Sequence, residues 1–148
     1  MNFKTIYQSI TIEASKEKVW SVLFEDHYSR LWYAEFSPGT HAVTDWKEES
    51  KALFIDDKGD GLLGKIIVNK PYEKLSIEYQ GEVRKGIEDA NSPAAQVLKG
   101  GLETYTLVEE DRKTLLSIAG DMSDDYFDVM FASWTQALKK IKELAESN

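Results

Sequence analysis

The feature that most constrains the fold is a long amphipathic segment at the C-terminal end, Ser123 to Glu146. Apolar side chains recur there at steps of three and four residues, which is the period of one helix face. They are Phe127, Met130, Phe131, Trp134, Leu138, Ile141 and Ala145. Ser123 is a good N-cap, and Asp124 and Asp125 place negative charge in the first turn, where the helix dipole favours it. The segment predicts a helix on the order of 34 Å long, whose apolar face needs a partner of similar length.

The N-terminal part of the chain predicts one strand followed by two short helices. Residues 4 to 13 alternate isoleucines with polar neighbours and are rich in β-branched residues, which is typical of a strand with one buried face. Start signals and apolar spacing predict a helix from Ser15 to Phe24 and a second one from Asp26 to Leu31. This part therefore places helical chain directly after the first strand.

The middle of the chain returns to alternation with period two, which predicts an antiparallel sheet. The predicted strands are His41 to Lys47, Lys51 to Asp56, Leu62 to Asn69, Lys74 to Arg84, Gly101 to Glu109 and Lys113 to Gly120. Alternation on two of them assigns a helix-facing side to Leu62, Ile66 and Val68 and to Leu75, Ile77, Tyr79 and Val83.

The segment from Gly86 to Gly100 interrupts this pattern and contains Pro93 with a small apolar group after it. Loops of this length are uncommon in compact domains, and many act as lids or binding loops. The alternative is an ordinary mobile insertion.

Composition limits the classes of protein to consider. A chain of 148 residues is typical of one domain, residues 1–148, and is long enough to bury a core without disulfides. There is no cysteine, and the net charge is -8 with scattered lysines, so we predict no structural zinc site and no nucleic-acid partner. No apolar run is long enough for a signal peptide or a membrane span, which predicts a cytoplasmic protein without membrane insertion.

A glycine-rich segment, Gly59 to Lys65, matches parts of two nucleotide-binding patterns. A phosphate loop needs Ser or Thr after the lysine and then a helix, whereas Ile66 opens a β-like run. A calcium loop also fits poorly, since Lys58 has the wrong charge and Ile67 stands where the glutamate ligand belongs. We therefore predict a hairpin turn here, with no metal and no cofactor.

The sequence offers few catalytic residues, and we predict that the protein is not an enzyme. It contains no cysteine and no nucleophile motif. Its two histidines, His27 and His41, lie in polar surroundings without an evident base or orienting partner, so they are interpreted as surface residues.

Short motifs run along the whole chain in a definite order. They are Ile10 to Ser15, Val19 with Trp20, Leu31 to Tyr33, Gly64 at the start of a strand, Pro71 to Leu75, Lys113 to Leu116, and Trp134 with Leu138. Together they resemble the START-like (SRPBCC, helix-grip) superfamily, and within it the domain of activators of the heat-shock protein 90 ATPase. The resemblance implies an α+β helix-grip fold: a curved antiparallel sheet of six to seven strands around a long C-terminal helix, with two short helices after the first strand.

Several large apolar side chains fall at positions that can face the space between sheet and helix. Composition alone favours a packed core, whereas the resemblance implies that they line a ligand cavity. The candidates are Trp32, Phe36, Phe54, Ile66, Tyr79, Tyr105, Met130, Phe131 and Trp134. Because the widest side chains lie in the first half of the C-terminal helix, we predict that the cavity opens there, beside residues 32–36 and under residues 86–100.

Glu103 is the polar candidate for this cavity. It shares strand parity with Tyr105, and the resemblance implies that this side faces the helix. An inward carboxylate needs a partner, such as Arg84, a tyrosine hydroxyl or a ligand. The alternative is that Glu103 lies in solvent near a strand end.

The candidate residues and the resemblance together lead to two expected functions. The first is non-enzymatic binding of a small hydrophobic or amphipathic molecule, such as a lipid, in the cavity. The second, implied by the resemblance, is a co-chaperone-like interaction module that contacts a chaperone, heat-shock protein 90.

Overall fold

The long C-terminal helix packs on one face of an antiparallel sheet in the computed structural model, which describes residues 3–147. The strands are β1 (Lys4–Ile12), β2 (His41–Val43), β3 (Lys51–Ile55), β4 (Gly61–Lys70), β5 (Lys74–Arg84), β6 (Ile87–Asp89), β7 (Leu102–Glu110) and β8 (Lys113–Met122). The helices are α1 (Lys16–Phe24), α2 (Asp26–Tyr33), α3 (Pro93–Leu98) and α4 (Phe127–Glu146). The predicted α+β helix-grip architecture is confirmed, with one additional short strand and one additional short helix.

All the strands belong to one sheet with the order β1-β8-β7-β5-β4-β3-β2, and β6 pairs with β5. Every pairing is antiparallel. The clearest difference in strand length is β2, which was predicted to reach Lys47. It ends at Val43 because the chain turns: Trp46 has a positive φ, and the Asp45 carboxylate accepts a hydrogen bond from the Lys47 backbone N–H.

The buried face of α4 closely follows the predicted stripe. Trp134, Ala137, Leu138, Ile141 and Ala145 are buried in the main core, together with apolar side chains of α1, α2 and the sheet. A 3-10 turn, Asp124–Tyr126, comes before the α-helix, and the Ser123 side chain makes no capping hydrogen bond.

Phe131 is an exception to the stripe, because 41% of its surface is exposed. Its ring stacks on Phe127 at 6.0 Å between centroids. This side of α4 lies beside β1, where the Gln8 side chain donates to the Phe131 carbonyl oxygen at 2.9 Å. Since β1 is the last strand of the sheet, no further strand within residues 3–147 covers Phe131.

Two β-bulges reverse the side-chain alternation on the central strands. Gly64 pairs with Tyr79 and Leu63 pairs with Gly81, so Gln80 is an extra residue in β5. Beyond it, Val83 is buried outside the main core, on the face away from α4, and its prediction as a helix-facing residue was wrong.

The second bulge has the same effect on β4. Ile66 pairs with Ile77 and Val68 pairs with Ser76, which makes Ile67 the extra residue. Val68 therefore lies on the outer face, and its predicted assignment to the helix-facing side was also wrong. The hydroxyls of Ser76 and Thr104 hydrogen-bond to each other on that outer face at 2.8 Å.

The segment from Gly86 to Gly100 is not an irregular loop over the cavity. It forms β6 on the edge of β5 and then α3, which packs against β5. Ser92 caps α3, since its hydroxyl accepts from the Ala95 backbone N–H at 3.1 Å, and Pro93 occupies the first turn. Ala95 is fully buried, outside the main core. The prediction that this segment roofs the cavity was wrong.

The position of β6 on β5 predicts a penalty for any side chain at Gly81. A Cβ atom there would lie 2.2 Å from the Asp89 carbonyl oxygen, which belongs to the backbone and cannot rotate away. We expect Gly81→Ala to lower the free energy of unfolding by about 1–3 kcal/mol, measured by urea denaturation, as overpacking does.

Gly120→Ala is the matched control, because a Cβ atom at Gly120 would approach no atom closer than 3.9 Å. It should cost clearly less than Gly81→Ala. Equal, small losses in the two variants would contradict the packing of this segment against β5.

Candidate functional site

A cavity of about 380 Å³ lies between the sheet, α2 and the N-terminal half of α4. It reaches the surface at Ser37 and Arg84, which are both exposed. Its wall comes from α2 and the chain after it, from β3, β4 and the turn between them, and from β5, β7 and α4. The lining residues are Trp32, Tyr33, Phe36, Ser37, Thr40, Phe54, Asp60, Gly61, Leu62, Tyr79, Glu82, Arg84, Glu103, Tyr105, Met130 and Trp134.

Trp134 is the centre of the aromatic wall on the helix side. Its ring centroid lies 4.9 Å from that of Phe36, 5.9 Å from that of Trp32 and 6.0 Å from that of Tyr105. Trp32 is itself held in place, because its indole N–H donates to the Val22 carbonyl oxygen at 3.0 Å. These contacts hold the rings in position, so this wall exists before any ligand binds.

The opposite wall is also aromatic. The Phe54 ring of β3 lies 6.3 Å from Tyr33 of α2 and 6.3 Å from Tyr79 of β5, measured between ring centroids. Both pairs are edge-to-face, the geometry that aromatic pairs prefer. The cavity is therefore bounded by rings from the helices and from three strands of the sheet.

Glu103 is the polar group inside this wall. It stands opposite Ile77 on β5 and Gly120 on β8, so the register turns its side chain toward the helix. The Tyr79 hydroxyl donates to Oε1 at 2.9 Å, and the Tyr105 hydroxyl donates to Oε2 at 2.5 Å. Of the partners considered from the sequence, the tyrosine hydroxyls are the ones that Glu103 uses, and the prediction of a solvated strand-end residue is excluded.

The environment of Glu103 acts on its pKa in two directions. Burial disfavours the charged carboxylate and raises the pKa, while the hydrogen bonds from Tyr105 and Tyr79 stabilise the charge and lower it. Burial has the larger effect, so the pKa lies above the ordinary value for glutamate. A carboxyl group of this kind can accept a hydrogen bond or a proton from a bound molecule.

Three tyrosines near this carboxyl group keep their protons. Burial is the main cause that raises the pKa values of Tyr33, Tyr79 and Tyr105, and the nearby charge of Glu103 adds to it. The Tyr33 hydroxyl differs from the other two, because it has no hydrogen-bond partner within residues 3–147.

The rim of the cavity carries charged side chains. Glu82 and Arg84 of β5 reach it because the bulge at Gln80 reverses the alternation. Arg84 lies 3.4 Å from the Glu82 carboxylate and does not pair with Glu103. Asp60 accepts a hydrogen bond from the Lys85 backbone N–H at 2.9 Å.

The glycine-rich segment after β3 forms a hairpin turn, as predicted. The Asp56 carboxylate accepts hydrogen bonds from the backbone N–H groups of Asp60 and Lys58, and these hold the pKa of Asp56 below its ordinary value. The two histidines, His27 and His41, lie outside the cavity wall.

Within residues 3–147, no group of three or more His, Asp or Glu side chains could hold a metal ion. None of the described helices is long and apolar enough to cross a membrane.

No family model matches this chain, and no curated protein matches it either. Solved structures do. The Aha1 dimer from Colwellia psychrerythraea has a TM-score of 0.74 and 18% identity over 97% of this chain and 96% of that chain. Protein MLL2253 from Mesorhizobium loti has a TM-score of 0.73 and 16% identity over 95% of this chain and 96% of that chain. CalU16 from Micromonospora echinospora has a TM-score of 0.69 and 16% identity over 97% of this chain and 77% of that chain.

The chain has the helix-grip fold. Identities this low show the fold alone, so the resemblance seen in the sequence is confirmed at that level. The cavity lies between the sheet and the N-terminal half of α4, beside residues 32–36, as the sequence predicts.

Most of the candidate residues chosen from the sequence lie around the cavity. They are Trp32, Phe36, Phe54, Tyr79, Tyr105, Met130 and Trp134, with Glu103 as the polar group. Ile66 and Phe131 do not line it. Ile66 is fully buried in the main core, and Phe131 points toward β1 and solvent.

Sequence reasoning missed Tyr33 and the rim residues. Tyr33 adjoins Trp32, and both are buried because the end of α2 enters the space between sheet and helix. A helix of eight residues contains too few apolar positions for their spacing to predict that two adjacent residues both face inward. Glu82 was missed, and Arg84 was considered only as a partner of Glu103, because the bulge at Gln80 has no signal in the alternating pattern.

A second, smaller cavity of about 190 Å³ lies beside α1 and is lined by Trp20, Phe24, Trp46, Asn69 and Leu75, with Ser21 and Glu25. The Asn69 side-chain amide donates to the Trp46 carbonyl oxygen at 2.7 Å. The side-chain oxygen of Asn69 is buried and has no hydrogen-bond partner among the described residues. A site of this size and polarity suits an ordered water molecule.

The hydrogen bonds to Glu103 predict that Tyr105 and Tyr33 respond differently to loss of their hydroxyls. Tyr105→Phe leaves one oxygen of a largely desolvated carboxylate without its donor, so we expect the free energy of unfolding to fall by about 1–3 kcal/mol at neutral pH. Tyr33→Phe removes a hydroxyl that makes no hydrogen bond to Glu103 or to any other described residue, so it should change stability much less. Chemical denaturation of both variants measures the difference.

The loss in Tyr105→Phe should depend on pH with a definite sign. The Tyr105 hydrogen bond lowers the pKa of Glu103, so removing it raises that pKa further. The full loss in the free energy of unfolding is then seen above the pKa of Glu103, and it becomes smaller as the pH falls through that pKa. The reason is that the Tyr105 hydroxyl stabilises the ionised carboxylate more than the protonated acid. A loss that grows on acidification, or equal losses in Tyr105→Phe and Tyr33→Phe, would contradict this arrangement.

Proposed function

We propose that the protein binds a small, mostly apolar molecule in the cavity between the sheet and α4. The observation that carries the proposal is an acid, Glu103, held by two tyrosine hydroxyls inside an aromatic wall that solvent can reach. A position that served packing alone would favour an apolar side chain, because burying a carboxyl group costs free energy. A ligand contact accounts for the acid at this position.

The size and rigidity of the cavity support binding. Its volume of about 380 Å³ lies within the range of small-molecule sites, which are mostly apolar with a few polar groups. We propose that the ligand contacts Trp32, Phe36, Phe54, Tyr79, Tyr105, Met130 and Trp134, with Glu103 as the polar contact. Since their neighbours already hold many of these rings, little ordering is required on binding.

We further propose that this function is binding without catalysis. Neither histidine of the chain lines the cavity, and the sequence has no cysteine. Both oxygens of Glu103 are engaged by hydroxyl donors that hold them in one geometry. These features suit recognition of a polar group on the ligand.

A second candidate function is a protein-interaction module of the heat-shock protein 90 activator type. The observation that favours it is a set of exposed apolar side chains where α4 begins: Tyr126 is 64% exposed, Val129 67% and Phe131 41%. Two of the three are aromatic, and aromatic side chains are enriched at protein–protein contacts. This candidate does not require an open cavity, so blocking the cavity separates the two functions.

The neutral, environment-sensitive dye Prodan tests the proposed function. We expect its fluorescence to rise and shift to the blue on binding to the protein. Met130→Trp places a larger side chain in the cavity wall and should weaken dye binding by at least about tenfold, which corresponds to about 1.4 kcal/mol.

Val129→Trp is the matched control, because Val129 is the neighbouring residue on the same helix and faces solvent. It adds the same side chain and should leave dye binding nearly unchanged. If Prodan does not bind, or if the two variants weaken it equally, the cavity is not the binding site and the interaction module becomes the better candidate.

A further inference from the structure

We propose that the occupant of the cavity is an apolar molecule carrying a protonated primary amine, and that this amine binds against Glu103. The inference rests on the proposed binding function and adds the chemical class of the ligand. Three features of the cavity support it: the free acceptor capacity of Glu103, the charge of the lining and the aromatic rings beside the carboxyl group.

Glu103 has acceptor capacity that the protein does not use. An ionised carboxylate offers about four acceptor sites. Tyr79 occupies one on Oε1 and Tyr105 occupies one on Oε2, so each oxygen retains a site. A protonated primary amine supplies three donors and the opposite charge. It can donate to the acceptor sites of Glu103 that remain free.

The charge of the lining favours a cation over an anion. Three acidic side chains, Asp60, Glu82 and Glu103, line the cavity, and Arg84 is the basic side chain of the lining. Arg84 lies at the exposed rim, 3.4 Å from Glu82. A fatty acid or another anion would therefore meet Glu103 without a nearby compensating cation. An amine meets a favourable potential on entry and at its binding position.

The aromatic rings beside Glu103 suit the apolar body of the ligand. Tyr79 and Tyr105 carry the two hydroxyls that bind the carboxyl group, so an amine held by Glu103 has its carbon chain next to aromatic side chains. Apolar groups gain free energy when they pack against such rings away from water. The remaining rings of the cavity extend this apolar surface.

Three probes with similar bodies and different charges test this inference in the unmodified protein. They are phenylbutylamine, pentylbenzene and phenylvalerate, and displacement of Prodan gives their affinities. We expect phenylbutylamine to bind at least about tenfold more tightly than pentylbenzene. Phenylvalerate should be the weakest of the three. Equal or tighter binding of pentylbenzene or phenylvalerate would overturn the inference while leaving the proposed function intact. If none of the probes and no Prodan binds, both proposals fail.

Two amide variants identify the carboxyl group that causes the preference for phenylbutylamine. Glu103→Gln keeps an oxygen that accepts from the tyrosines but removes the charge, so it should abolish the preference for phenylbutylamine and retain pentylbenzene binding. Glu82→Gln removes one charge at the rim and should keep most of the preference. A preference that survives in Glu103→Gln, or is lost in Glu82→Gln alone, overturns the assignment to Glu103.

The pH dependence of the unmodified protein gives the same information if Glu103→Gln does not fold. Glu103 is faced by Tyr33 from α2, Tyr79 from β5 and Tyr105 from β7, which all keep their protons, and the cavity residues of α4 do not titrate. Asp60, Glu82 and Arg84 complete the charged lining, and the Glu82→Gln variant controls for the rim. Phenylbutylamine affinity should fall as the pH falls through the pKa of Glu103, while pentylbenzene affinity stays constant. Parallel behaviour of the two probes would overturn the inference.

Discussion

The packing of Trp134 determines how the long helix sits on the sheet. Its ring contacts Trp32 and Phe36 on the α2 side and Tyr105 on β7, so one side chain joins the helices to the sheet. Wide rings that touch one another keep the helix and the sheet apart without filling all the space between them. Aliphatic side chains usually pack closely enough to fill such a space. Farther along α4, Ala137, Leu138 and Ile141 pack closely into the core. The cavity therefore follows from the order of large and small side chains along a single helix.

The regular elements could be predicted because helices and strands have periods that the sequence shows directly. The errors at Val68 and Val83 occur where a single extra residue changes the geometry without changing the pattern. The extra residue Gln80 turned Val83 away from the helix and brought Glu82 and Arg84 to the cavity, and Gly81 was the nearest sign of this irregularity. The segment after Gly86 carried a readable signal, Ser92 followed by Pro93, which is a typical helix start. That signal predicts a packed element and not a lid.

The aromatic part of the site could be predicted because large apolar residues at inward positions leave few alternatives. Met130 faces the cavity, whereas Phe131 faces β1 and solvent. The sequence could not distinguish the two, because it does not show where the edge of the sheet lies. Arg84 and a tyrosine hydroxyl were both open as protein partners of Glu103, and only the register of β5 and β7 decides between them. It brings Tyr79 and Tyr105 within hydrogen-bond distance, while Arg84 pairs with Glu82 two residues before it. Long-range register of this kind cannot be read from local patterns.

The proposed function depends on one feature above all, an acid enclosed by aromatic rings between the sheet and the helix. An NMR titration of the Glu103 carboxyl carbon tests that enclosure directly, in protein labelled with carbon-13 at the glutamates and with the resonance assigned by its absence in Glu103→Gln. Because burial outweighs the two tyrosine hydrogen bonds, we expect a pKa above the ordinary value of about 4.3 for a glutamate. A pKa at or below that value would show a solvated carboxylate, and it would contradict the enclosed cavity between the sheet and α4.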